Sequence, residues 1–153
     1  MRTLVPITVI LALGMTAGPP CASGLQDKAP DLQNIEALEA RAIEAQPREQ
    51  CFLYAELVQQ LAELSLRQYT AGDVAKSADM LKHIQQIALK IHTSMADNNK
   101  RLKDAEILLR RTAFRLNEML HASSFEDRSL VEQTLAQVNQ AQNDAMLKVF
   151  HNR

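Results

Sequence analysis

The distribution of proline and glycine is the feature that most restricts the fold of this chain. Over residues 48–153 there is no proline and a single glycine, Gly72, whereas the five prolines and the other three glycines all precede Arg48. A β-sheet protein needs turn residues about every 8–12 positions, and this stretch cannot supply them. It is rich instead in Ala, Leu, Gln, Glu, Lys and Arg, which favour helices. The sequence therefore predicts an all-α fold.

Apolar residues recur with the helical period in four long segments of similar length, which are 48–70, 73–95, 99–121 and 127–150. Short connections between long helices of equal length are typical of an up-down-up-down bundle. A shorter helix is predicted before them, over about 31–46. Its apolar stripe consists of Leu32, Ile35, Leu38, Ala42 and Ile43. We therefore expect an antiparallel bundle of four long helices preceded by a shorter N-terminal helix.

The segment 48–70 has an apolar face wider than a single helix seam. Cys51, Tyr54, Val58 and Leu61 share one stripe, and further leucines lie beside it. A face of that width predicts burial against more than one partner helix. Because Cys51 is in phase with the stripe, we expect a buried and slowly reacting thiol.

The junction at 94–102, SMADNNKRL, allows two chain shapes. The apolar phase is nearly kept across it and no Gly or Pro interrupts it, which favours one continuous helix over 73–121 shared by two hairpins. A turn at Asp97–Asn99 would instead let four helices share a core, and each Leu or Ile left exposed by the rod would forfeit about 1.5–3 kcal/mol. Burial of these Leu and Ile side chains therefore favours the turn.

The first residues read as a secretory signal peptide. Arg2 precedes an uncharged, mostly apolar run over 4–17, and small residues follow at the expected cleavage region. We expect a signal peptide over 1–23, an exposed tail over 24–30 and a single helical domain over 31–153. The expected location is therefore outside the cytoplasm, periplasmic or secreted.

Cleavage before Gly24 would discard Cys21 and leave Cys51 as the sole cysteine, so that no internal disulfide forms. Acylation of Cys21 is the alternative, but Pro20 stands where a lipoprotein signal has a small residue. Once the signal is removed, the sequence predicts no stable membrane anchor.

No catalytic, metal-binding or cofactor-binding motif is evident. The four histidines form none of the HxxxH, HExxH or CxxCH patterns. Glu118 and His121 have the i, i+3 spacing of di-iron bundles, but such a site needs two of these motifs and further inward carboxylates. We therefore expect a protein that is not an enzyme and takes no cofactor, metal or small-molecule ligand.

The overall charge does not indicate a nucleic-acid partner. The chain has 17 basic and 18 acidic residues and a net charge of −1. It has no Trp, two Tyr and four Phe, most of them at positions expected in helix cores, so no aromatic stacking surface is predicted.

One basic cluster stands out within the predicted helix 99–121. Its members are Lys100, Arg101, Lys103, Arg110, Arg111 and Arg115. A solvated helix face explains such a cluster. A second interpretation is a contact surface for an anionic polymer, a lipid headgroup or an acidic partner. Segment 24–49 carries six acids and is a candidate to cover the cluster.

These observations predict an exported, non-enzymatic helical protein that works by contact with a protein partner or by self-association. The runner-up is a chaperone-like or polyanion-binding helical protein that uses the basic 100–115 face. A small enzyme or ligand-binding bundle is the third hypothesis, and it lacks a polar constellation to support it.

Overall fold

The computed structural model describes residues 31–95 and 101–151, and every regular element in these ranges is an α-helix. The five helices are α1 (Leu32–Glu44), α2 (Pro47–Thr70), α3 (Val74–Ser94), α4 (Leu102–Ala122) and α5 (Phe125–His151). The predicted signal peptide and tail lie outside the described residues, as does Lys100. No helix of the described ranges has both the length and the apolar character needed to span a bilayer.

Local sequence sets the helix ends. The Asp31 carboxylate accepts a 2.8 Å hydrogen bond from the backbone amide of Asn34 and so caps α1. Pro47 occupies the first turn of α2, where a missing N–H costs nothing. Gly72 has φ +88°, a left-handed conformation that suits glycine, and lies in the turn between α2 and α3. The helix α5 begins at Phe125, two residues before the predicted start.

The four long helices form a bundle, as the sequence predicted, and α1 packs on α2. The helix α2 contacts α3 and α4, and α5 contacts α3 and α4, so that α2 lies diagonally from α5 and α3 from α4. Successive helices run in opposite directions. As a result α2 and α4 are parallel neighbours, α3 and α5 are parallel neighbours, and the ends joined by 95–101 lie at diagonal corners.

A continuous helix over 73–121, the alternative shape, is wrong. The helix α3 ends at Ser94, Met95 has non-helical backbone angles, and α4 begins at Leu102. Both α3 and α4 pack on α2, one antiparallel and the other parallel to it. The physical reason is burial, because Ile84, Ile87 and Ile91 of α3 and Leu102, Leu109 and Leu116 of α4 all enter one core.

The wide apolar face of α2 is buried on three sides. Cys51, Tyr54, Val58, Leu61 and Ser65 are all buried, as are the leucines at 53, 57 and 64. Three helices, α1, α3 and α4, pack against α2. Both the breadth of this face and the burial of Cys51 therefore confirm what the sequence predicted.

The stripe of α1 is narrower than the sequence suggested. Ile35, Leu38 and Ala42 are buried, but Leu32 and Ile43, expected on the same stripe, are exposed. Among the described helices the backbone of α1 comes close to that of α2 alone, although Glu39 of α1 also reaches His83 of α3. A single line of contact covers only the centre of the α1 apolar face, which explains the difference.

Candidate partner-binding groove

The structure places the described members of the predicted basic cluster on α4, where they divide into two sets. Arg101, at the start of α4, lies 3.2 Å from the Asp104 carboxylate, and its guanidinium carbon is 3.3 Å from the centroid of the Phe52 ring. Arg101 is therefore engaged with α4 and α2. Lys103 is exposed.

The second set lines a groove between α4 and α2. Arg110, Arg111 and Arg115 lie along α4 with Phe114 among them, and Gln59 and Glu63 of α2 form the facing wall. The volume of this groove is about 460 Å³. We call it the arginine groove, defined by these six residues.

The three arginines differ in how far they are already paired. The Arg115 guanidinium donates a 2.8 Å hydrogen bond to Glu118, which raises the pKa of Arg115. Arg110 is 3.9 Å from Glu106, a carboxylate that also accepts a 3.0 Å hydrogen bond from Gln142. Arg111 forms no ion pair or hydrogen bond with any residue of 31–95 or 101–151. Its guanidinium is therefore the one in the groove that is available to a carboxylate.

Phe114 gives the groove an apolar component. Its side chain is 61% exposed, in the midst of the three arginines. The expectation that the aromatic residues lie at core positions fails here, and it also fails for Phe125, which is 95% exposed. The sequence does contain the signal, because Phe114 is out of phase with the α4 stripe of Ala105, Leu109 and Leu116.

The acidic N-terminal segment does not cover the arginine groove in the described part of the chain. The helix α1 packs on α2 and not on α4, and Glu39 of α1 lies 3.1 Å from His83 of α3. Residues 24–30 of that segment lie outside the described residues. For residues 31–49 the proposed covering role is therefore wrong, and no helix of the described ranges covers the groove.

The remaining polar clusters join helices to one another. The described residues hold no group of three or more His, Cys, Asp or Glu side chains able to bind a metal ion. Glu118, half of the pair that resembles a di-iron motif, binds Arg115 instead. His92 of α3 lies 2.9 Å from Asp144 of α5, and so these two side chains connect a pair of neighbouring helices.

Cys51 lies apart from the groove, in the core. Burial raises the pKa of its thiol to about 11, although a hydrogen bond with Ser94 and the charge of Lys148 act in the opposite direction. At neutral pH the sulfur is therefore a protonated and poorly nucleophilic thiol.

Comparison with models of protein families, with curated proteins and with solved structures finds no match to this chain. The function of the chain is therefore inferred from the residues that the bundle exposes on its surface.

Proposed function

We propose that this chain is an exported, non-enzymatic helical interaction protein that binds an acidic protein partner in the arginine groove. The proposal rests on two residues that line the same groove. Arg111 has no intramolecular partner in the described ranges, and Phe114 is exposed. Arginine and aromatic residues dominate the binding energy of many protein interfaces.

The two walls of the groove favour a protein partner over a uniform polyanion. The α4 wall presents guanidinium groups, which bind carboxylates in a bidentate manner. The α2 wall presents Gln59 and the carboxylate of Glu63, which would repel a continuous run of negative charge. A partner that fits places an acidic side chain on Arg111, an apolar side chain on Phe114, and a hydrogen-bond donor on Glu63.

The chaperone-like or polyanion-binding role is the second candidate. It is supported by the concentration of Arg110, Arg111 and Arg115 within two turns of one helix. Because counterion release governs the binding of polyanions, their affinity would fall steeply with salt. A protein partner that packs on Phe114 would retain a large part of its affinity at the same salt concentration.

Photo-crosslinking in the native host tests the choice of surface. A benzophenone amino acid replaces Phe114 in one variant and Phe125 in another, since both side chains are exposed and only Phe114 lies in the groove. We expect a defined protein adduct from position 114 that disappears when Arg111→Glu is added. The same adducts from both positions, or adducts insensitive to Arg111→Glu, would refute the groove as the contact surface.

Binding of the purified protein to anionic polymers tests the polyanion-binding role. The purified protein is titrated with heparin and with poly-glutamate at low and at physiological salt. Tight binding to both polymers, together with loss on Arg110→Ala/Arg111→Ala/Arg115→Ala and no adduct at position 114, would replace the protein partner with a polyanion.

Export has its own experiment. The expected signal peptide rests on Arg2, the apolar run over 4–17 and the small residues that follow. Mass spectrometry of the protein from its host should show a chain that starts at or close to Gly24. An intact Met1 in the cytosol would refute export, and a lipid on Cys21 would replace the soluble exported form with a lipoprotein.

A further inference from the structure

The bundle has four lateral sides, and the side formed by α3 and α5 lies opposite the arginine groove. The helix α1 packs on α2, and α2 with α4 forms the groove. On the α3–α5 side no other described helix is packed. Leu89 of α3 and Leu147 of α5 are each 64% exposed there.

A shallow pocket of about 90 Å³ lies between α3 and α5, and Leu89 is part of its lining. Leu89, Ala88 and Ala141 supply its apolar lining, and Gln137 and Gln140 supply amides. Leu147 follows Gln140 by two helical turns on the same face of α5. A volume of this size is about that of three water molecules, which is enough for one aliphatic side chain.

We propose that this α3–α5 face is the contact surface between two copies of the chain related by a two-fold axis. In such a dimer the same patch lies on both sides of the interface, so every charge approaches its own equivalent. A patch can pair with itself only if it lacks uncompensated like charges.

The central part of α5 meets that requirement, and the Lys148 ammonium, beside Leu147, donates to the Met95 carbonyl of α3 in its own copy. Residues 133–143 contain no Asp, Glu, Lys, Arg or His. Among the residues that line the pocket, the two ionisable side chains are His92 and Asp144, and the Asp144 carboxylate accepts a 2.9 Å hydrogen bond from the His92 imidazole, so that it is engaged within its own copy. The arginine groove has the opposite character, since Arg110, Arg111 and Arg115 of one copy would meet the same cations of the other.

An unsatisfied acceptor lies at the same place. The side-chain oxygen of Gln137 is buried and has no hydrogen-bond partner in the described chain. An amide side chain both donates and accepts hydrogen bonds. A second copy brings the exposed amide of Gln140 to this face, and its N–H can donate to the Gln137 oxygen once the Gln137 side chain turns outward, while a leucine of that copy fills the pocket.

The dimer also has a consequence for the groove. Because the α3–α5 and α2–α4 sides are opposite, both arginine grooves stay open and face outward in the dimer. Two identical grooves on one particle allow bivalent attachment to a partner that repeats its binding segment. The dimer itself does not depend on whether the groove binds that partner.

Sedimentation equilibrium on the protein as its host produces it measures the association. We expect a mass that rises from one chain to two as concentration increases. The double variant Leu89→Glu/Leu147→Glu should remain monomeric at the highest concentration, with an unchanged far-ultraviolet circular dichroism spectrum. Leu32→Glu is the matched control, an exposed leucine on α1, and should dimerise normally.

The proposal fails if the protein has the mass of a single chain at about 1 mM, a concentration at which even weak complexes form. It also fails if the double variant still dimerises, or if Leu32→Glu dissociates the dimer to the same extent.

Disulfide crosslinking gives an independent readout of the face. Gln140 is exposed near the centre of the proposed interface, and Asn117 is an exposed polar residue on α4. Because Cys51 is buried and cleavage before Gly24 removes Cys21, an added cysteine is the reactive one in the processed chain. Gln140→Cys should oxidise rapidly to a covalent dimer and Asn117→Cys should not. Crosslinking of Asn117→Cys in preference to Gln140→Cys would place the interface elsewhere.

Discussion

The Tyr69 hydroxyl donates a 3.1 Å hydrogen bond to the carboxylate of Asp127 and so connects α2 to α5, two helices on opposite corners of the bundle. The same hydroxyl oxygen accepts a 2.8 Å hydrogen bond from the backbone amide of Ser124, the residue before α5. A tyrosine is long enough to reach this corner, where no direct packing between the two helices exists. The bond therefore fixes the α4–α5 connection against the end of α2.

Removing this hydroxyl should destabilise the protein. We expect Tyr69→Phe to lower the free energy of unfolding by about 1–2 kcal/mol, because a hydrogen bond to a carboxylate and one to a backbone amide are lost. Urea denaturation measures the change. Tyr54→Phe is the control, since no described side chain forms a hydrogen bond with the Tyr54 hydroxyl. Equal losses in the two variants would show that the Tyr69 hydrogen bonds contribute nothing specific.

A pair of buried serines joins α2 to α3. The Ser65 hydroxyl donates to the Ser77 backbone carbonyl at 3.1 Å and lies 3.0 Å from the Ser77 hydroxyl, and both residues are buried. Each single change to Ala leaves one buried hydroxyl without this partner and should cost about 1–3 kcal/mol. The double variant should cost less than the sum by about 0.5 kcal/mol or more. Thermal and urea unfolding are measured for the unchanged protein, the two single variants and the double variant. Free-energy changes that add strictly would show that the two hydroxyls act independently and would contradict the prediction.

Cys51 should titrate far above neutral pH. Burial raises the pKa of the thiol from 9.0 to about 11. The folded state therefore holds the proton more tightly than the unfolded state does. The stabilisation is fully present below pH 9 and is lost as pH rises through about 11. The thiolate absorbance, measured as the difference between the protein and Cys51→Ala so that the overlapping tyrosinate signal cancels, should show this midpoint in the folded protein. A midpoint near 9, or labelling of the native protein as fast as that of the unfolded chain, would contradict the buried position.

Small-angle X-ray scattering tests the turn between α3 and α4. A compact domain of the 130 residues 24–153 should have a radius of gyration of about 14 Å, and somewhat more with its tail. A single helix over 73–121 would be about 74 Å long and would require about 21 Å or more. The forward scattering gives the mass of the particle, and the comparison uses a concentration at which that mass is one chain. A monomer at the larger value would mean that the helix continues through the junction in solution.

The sequence alone was sufficient for the helices and for most of the core. Asp31, Pro47 and Gly72 act on their immediate neighbours, so the start of α1 and both ends of α2 were predictable within a few residues. The helical period determines which face of each segment is apolar. It correctly predicted the burial of Cys51, Tyr54 and Leu61 in α2.

Only the tertiary structure decided which helix covers each apolar face. Periodicity identifies a face but not its partner, because the partners lie far apart in sequence. For that reason the sequence could not show that α3 and α4 occupy diagonal corners, or that α1 leaves Ile43 exposed.

The tertiary structure also decided how the basic cluster on α4 divides into an engaged arginine and the arginines of the groove. All its arginines have similar neighbours in the sequence, yet Arg101 stacks on Phe52 of α2 while Arg111 faces the open groove. The packing of α2 against α4 therefore determines which cations are engaged, whereas the sequence determined only that they share one helix.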